Sequence, residues 1–175
     1  MKIIGLFALA MSLGISATAA EHAGPTDPQI ANIVVTANQV DIDAGKLAVG
    51  KSHRKDVREF AQRVITDHSG VNKSAVDLVT KLHVVPEDNH ISEHLKMDGD
   101  QNLATLKTLR GNAFDKAYVD HEVEYHQHVL DAINQVLIPN ASNAELKALL
   151  VQVEPAFVAH LEHAKRIQAA LAAKG

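Results

Sequence analysis

Cysteine and tryptophan are absent from this 175-residue chain, and aromatic residues make up only 3% of it. Without cysteine there is no disulfide, thiol nucleophile, cysteine-ligated zinc, iron–sulfur cluster or lipid-anchoring thiol. With so few rings, the core must be built from aliphatic side chains. Basic residues are also in deficit, 17 Lys and Arg against 21 Asp and Glu, for a formal charge of −4. That balance does not supply the basic stripes and stacking rings of a nucleic-acid surface, so no nucleic-acid partner is expected. The glycines are scattered and form no phosphate-binding loop. No serine sits in a nucleophile elbow, and nothing points to a catalytic triad. What the chain does have is histidine, 11 residues, within a 46% apolar composition long enough for one packed domain.

Residues 1–20 have the pattern of a secretory signal. Lys2 gives the positive end, Ile3 to Ile15 is apolar, and Ala17-Thr18-Ala19-Ala20 offers small-residue cleavage sites. The apolar run is short of the roughly 20 residues of a membrane span. No second long run follows, so the expectation is an exported, periplasmic chain, soluble or loosely envelope-associated, without a transmembrane segment. Cleavage after Ala19 would leave Ala20-Glu21-His22 at the new terminus, a motif that suits Cu(II) or Ni(II).

The remaining residues, 27–173, read as an all-α four-helix bundle. Asp27-Pro28 opens the first helix, whose inner face is Ile30, Val34, Ala37, Ala44 and Ala48, and Gly50 is its expected end. Ser52 is the expected cap of a second helix with Val57, Phe60, Ala61, Val64, Val71, Ala75, Val79 and Leu82 inside, stopped by Val85-Pro86. The pattern weakens from Glu87 to Gly111, which predicts a connector with a short helix carrying Leu103, Leu106 and Leu109. Asn112 with Asp115 opens a third long helix containing Val119, Val123, Leu130, Ile133 and Leu137, ended by Pro139-Asn140. Ser142 with Glu145 is a capping-box pattern for the last helix, in which Pro155 predicts a kink or brief break.

Each long helix carries one polar residue inside its apolar stripe: Asp41, His68, His126 and His160. All four fall within about three residues, or ~5 Å, of their helix midpoints. Three imidazoles and a carboxylate meeting at the waist of a bundle could hold one Zn, Cu or Fe ion, with Glu122, one turn before His126, as a fifth participant. The same residues could instead form a hydrogen-bonded polar layer that fixes the packing. Tyr118, Asp67 and Asp115 stand nearby. The di-iron motif of a Glu three residues before a His is absent, because Ile65, Val123 and Phe157 occupy those positions. His90 with His94, and His160 with His163, have helix-neighbour spacing.

The run Asp41-Ile42-Asp43-Ala44-Gly45-Lys46-Leu47-Ala48, followed by Val57-Arg58-Glu59-Phe60-Ala61 and Thr66-Asp67-His68, resembles a bacterial family of exported helical proteins. So do Ala113-Phe114-Asp115-Lys116-Ala117-Tyr118 with His126, and Pro155 with His160-Leu161 and Ala164. The family is a domain of unknown function, sometimes labelled "predicted outer membrane protein". The resemblance implies a ferritin-like bundle and an envelope address, and carries the family pattern over to His68, His126, His160, Asp115 and Tyr118. At Asp41 the family usually has Glu. The resemblance implies no established activity. The outer-membrane label fits poorly, since neither a lipid-anchor cysteine nor barrel strands are present. Two functions stay open at this point: metal storage, buffering or stress protection, and a non-catalytic structural or stress-related envelope protein.

Overall fold

The computed structural model describes residues 24–173. The expected signal segment and the Ala20-Glu21-His22 motif lie outside the described residues. Within them all regular structure is helical: α1 (Asp27–Lys51), α2 (Lys55–Leu82), α3 (His90–Thr108), α4 (Gly111–Ala132) and α5 (Ala144–Ala172). α4 continues through a π-helical turn, Ile133–Leu137, and a last α turn, Ile138–Asn140.

The stripes read from the sequence face inward, but several boundary signals act differently from expectation. Asp27 does not cap its own helix. It sits in the first turn, and its carboxylate accepts from the Ser142 and Asn143 amides at 2.8 and 2.9 Å, tying the α4–α5 loop to the start of α1. Ser52, three residues before α2 starts, accepts from the Arg54 amide at 3.1 Å, and Arg54 holds the cap position. The cap of α5 is Asn143 rather than Ser142, and it accepts from Glu145 and Leu146. Helix α4 starts at Gly111, whose φ of 55° suits a residue without Cβ. The end at Pro139-Asn140 is as expected: the helix stops at Asn140, with the wider π turn just before the residue that lacks an amide donor. Pro155 does not interrupt α5; it lies exposed in an unbroken helix.

The largest departure is the connector. α3 is a 19-residue helix, capped by Asn89, whose side chain accepts from Ile91 and Ser92. It buries only Ser92, Gly99 and Leu106, one residue every two turns, so its inner face is too narrow and too small to show as an apolar stripe. Gly99 faces Val40 so closely that a Cβ would come within 2.6 Å of Cγ1.

End-to-end contacts give the helix directions. Asn32 near the start of α1 donates to Asp88 at 2.7 Å, and Lys51 at its end donates to the Leu106 and Lys107 carbonyls at the end of α3, so α3 runs parallel to α1. Short loops make α1 antiparallel to α2, and α4 antiparallel to α5. The pairs α1–α2 and α4–α5 pack face to face, α2 packs on α5 and α1 on α4, while α3 lies outside on α1 and the edge of α4. The helices enclose two apolar clusters, the second of which takes in Leu106 of α3. One gathers Ile30, Ile33, Leu130, Ile133, Leu150 and Phe157; the other gathers Ala48, Val57, Phe60, Leu106, Phe114 and Ile167. Between them lies a layer of buried polar side chains.

Candidate metal centre

That layer holds Asn38 and Asp41 from α1, His68 from α2, Glu122 and His126 from α4, and His160 from α5. All are at most 4% exposed. The three imidazoles form a near-equilateral triangle, with ring centroids 5.7 Å (His68–His126), 5.2 Å (His68–His160) and 5.3 Å (His126–His160) apart. Phe157 closes the layer on one side, 4.8 Å from the His68 ring, and Phe60 on the other, 6.5 Å from His126 and 6.4 Å from His160.

Hydrogen bonds on the outer nitrogens set each ring's tautomer. Asn38 Nδ2 donates to the Val34 carbonyl at 2.8 Å, which turns its Oδ1 to His68 Nδ1 at 2.7 Å. An oxygen acceptor there requires the proton on Nδ1 and leaves a lone pair on His68 Nε2. His126 Nδ1 donates to the Glu122 carbonyl at 2.9 Å, which leaves Nε2 free. His160 is reversed: its Nε2 donates to Asp67 Oδ2 at 2.9 Å, leaving Nδ1 free. Asp67 is one-third exposed and also takes Arg63 Nε at 2.9 Å. The three remaining nitrogens, His68 Nε2, His126 Nε2 and His160 Nδ1, are buried without a hydrogen-bond partner. One nitrogen from each ring falls within a mutual 4.8 Å.

The carboxylates complete the layer. Asp41 Oδ2 is 3.0 Å from His68 Nε2 and 3.5 Å from His126 Nε2. Asp41, Glu122 and His126 form a second group within 4.8 Å. The Asp41 and Glu122 carboxyl groups lie within hydrogen-bond reach of each other. Burial would raise the Asp41 pKa, but the neighbouring His68 and His126, together with the Glu122 carboxyl group, overcome it and hold the acid far below the usual carboxylate range. Glu122 goes the other way: burial, then the negative charge of Asp41, pushes it well up, so it is the protonated member of the pair. Burial lowers His126 to about 4, opposed by Asp41 and assisted by its two imidazole neighbours. It lowers His160 too, against the Asp67 hydrogen bond.

The five residues expected at the waist are thus brought together. Tyr118 and Asp115 are buried one and two turns before Glu122 on α4, each with an unpartnered oxygen. His163 turns to Phe60, 5.3 Å between rings, and does not join the triangle. His90 and His94 are exposed on α3. Sequence reasoning missed Asn38. The signal was available, because Asn38 is one turn before Asp41 and four residues after Val34, on the inward face.

A helical bundle with a buried three-histidine layer defines the class, and the family follows from the sequence match. The profile described as "Domain of unknown function (DUF4142)" matches residues 13–167, and the chain belongs to that family. No curated protein matches it. Among solved structures it is similar in fold to "CopM in the Cu(II)-bound form", with a TM-score of 0.65 and 17% identity over 83% of this chain and 97% of that one. No helix among the described residues is long and apolar enough to cross a membrane.

Proposed function

We propose that this protein is an exported, ferritin-like helical protein that holds one transition-metal ion at its waist, for storage, buffering or stress protection. The observation that carries the reading is the set of three buried imidazoles, each offering a nitrogen within 4.8 Å of the other two and each keeping one ring nitrogen without a hydrogen-bond partner. Leaving such groups unpaired costs on the order of 1–3 kcal/mol each, and a cation satisfies all three together. His68 Nε2 and Asp41 Oδ2 carry lone pairs that face each other at 3.0 Å, which also calls for a positive charge between them. Donor atoms about 2.0–2.2 Å from a zinc-like ion lie roughly 3–3.5 Å from one another, in keeping with this spacing. His68, His126 and His160 would be the nitrogen ligands, Asp41 the carboxylate, and Glu122 a flanking acid. Zn, Cu and Fe all suit such a donor set. Copper has the highest intrinsic affinity for it, and the CopM structure of similar fold is a Cu(II) form. The ferritin-like reading is supported by the pairing of α1 with α2 and α4 with α5, joined by a long connection containing α3. Export and a periplasmic address are supported by the pattern of residues 1–20.

Elemental analysis of protein purified without chelators tests this. The expected result is about one equivalent of Zn, Cu or Fe, lost in His68→Ala and His160→Ala, since such ions need several ligands at once. The competing reading, a structural or stress-related envelope protein whose His/Asp layer only fixes packing, draws on the His68–Asp41 approach, which a proton alone could bridge. It predicts metal-free protein whatever the growth medium.

A further inference from the structure

Beside the waist, bounded by α1, α3, α4 and α5 with Val71 of α2, lies a half-open cleft of about 400 Å³. This is within the ~300–1,000 Å³ of small-molecule sites. Its floor is aliphatic and aromatic, with Val34, Leu95, Val129, Ile133, Leu150 and Phe157 facing it, and the π-helical turn of α4 supplies part of that wall. Covering an apolar floor of this kind removes hydrocarbon surface from water, which favours an apolar ligand.

The mouth is different in character. Asp98 from α3 and Glu124 from α4 line it, both exposed, and neither makes an ion pair among the described residues. No Lys or Arg lines the cleft. The Tyr125 hydroxyl donates to the Ala37 carbonyl at 2.8 Å, which pins the ring, and His121 stacks on it with centroids 5.6 Å apart and planes 18° from parallel. His121 Nδ1 is buried without a hydrogen-bond partner. Acidic groups beside a fixed aromatic shelf attract an organic ammonium and disfavour a carboxylate head, through both charge and the face of the ring.

We propose that this cleft binds a small cationic amphiphile: an ammonium head at Asp98, Glu124 and the His121–Tyr125 shelf, with an apolar tail of roughly eight carbons along the aliphatic floor. The site is separate from the metal ligands, although Asn38 and Phe157 border both.

The test uses octylammonium and octanoate, which share a tail and differ in head. They are titrated into the chelator-treated full chain by calorimetry and followed by amide NMR shifts over residues 91–98 and 121–133. Octylammonium should saturate one site and bind roughly tenfold more tightly than octanoate, as two rim charges allow. The surface variant Asp98→Lys/Glu124→Lys should reverse that preference. Leu95→Trp, which fills the cleft from the peripheral helix, should abolish binding of both while leaving the helical circular dichroism and metal content unchanged. Equal affinity for the two heads, preference for octanoate, non-saturating uptake, or binding untouched by Leu95→Trp would each overturn the proposal. Because metal content is read separately, loss of the cleft ligand and loss of the ion are distinguishable.

Discussion

Asn38 holds His68 from behind: its amide oxygen lies 2.7 Å from His68 Nδ1, and its amide nitrogen is itself held 2.8 Å from the Val34 carbonyl. This chain of two bonds fixes the tautomer that points a lone pair at the waist. An outer partner of this kind is worth about 10–100-fold in metal affinity. Asn38→Ala should therefore weaken metal binding by that factor while the helical content is retained, measured by competition with a chromophoric chelator. Asn38→Asp, which keeps an acceptor at the same place, should retain most of the affinity. Equal loss in both variants would show that Asn38 matters for packing rather than for orientation.

Asp67 plays the equivalent part for His160 but from the surface, where it shares its carboxylate with Arg63. Solvent can replace a partner that is one-third exposed. Asp67→Ala should accordingly cost less metal affinity than Asn38→Ala, and Arg63→Ala less again. Equilibrium dialysis with zinc or copper checks the order.

The contrast between these two helpers also explains what the sequence could disclose. Asp41, His68, His126 and His160 were legible because each interrupts an apolar stripe at the same height, and helical periodicity carries both face and height. Ala48, Phe60, Val64 and Val119 followed from the same rule and are buried. The length of α3 was not legible, since a helix seated through Ser92, Gly99 and Leu106 has small inner residues where a stripe would show large ones. Tautomers were not legible either. They depend on Asn38, a residue of another helix, and on the Glu122 carbonyl, which every residue type supplies equally. The capping signals at Asp27 and Ser142 were present, but tertiary contacts between them redirected the Asp27 carboxylate to the α5 entry.

The waist also makes stability depend on pH in the metal-free protein. His126 is depressed to about 4 from its ordinary 6.5, chiefly by burial. As pH falls below about 6.5 the unfolded chain takes a proton at this position, while the folded one refuses it until about 4. Stability from this group is complete above the unfolded value and falls by of order 3 kcal/mol across that window. His160 is shifted in the same direction. Thermal melts in chelator should therefore show the midpoint dropping from pH 7 towards 4.5, and a saturating metal ion should oppose the drop by binding the folded form alone. A midpoint independent of pH across this range would contradict the burial of neutral imidazoles.

Glu122 has the opposite slope. Its folded pKa is raised, so the folded chain keeps a proton that the unfolded chain releases above about pH 4.5, and stability is lost as pH rises. Glu122→Gln mimics the protonated acid and removes that loss. The variant should match the parent near pH 4, exceed it in stability at pH 8, and show a steeper acid fall because the histidine contribution is no longer offset. Guanidinium titrations at the two pH values, in chelator, read the difference. A variant less stable at pH 8 than the parent would mean that Glu122 is ionised in the fold.

Gly99 is where α3 closes on the bundle, and its tolerance can be measured directly. A Cβ there would lie 2.6 and 2.8 Å from the two methyl carbons of Val40 and 3.2 Å from its Cβ. A β-branched side chain on a helix has one strongly preferred rotamer and little room to yield, so α3 must shift outward. Alanine gains up to about 1 kcal/mol in helix propensity over glycine, whereas overpacking costs roughly 1–3 kcal/mol. The overpacking should win. Gly99→Ala is expected to destabilise the protein, and Val40→Ala to restore the Gly99→Ala background more than it changes the parent. That coupling, read as a double-mutant cycle from denaturant titrations, isolates the one contact. Additive effects of the two substitutions would mean that α3 is not seated on α1 through this pair.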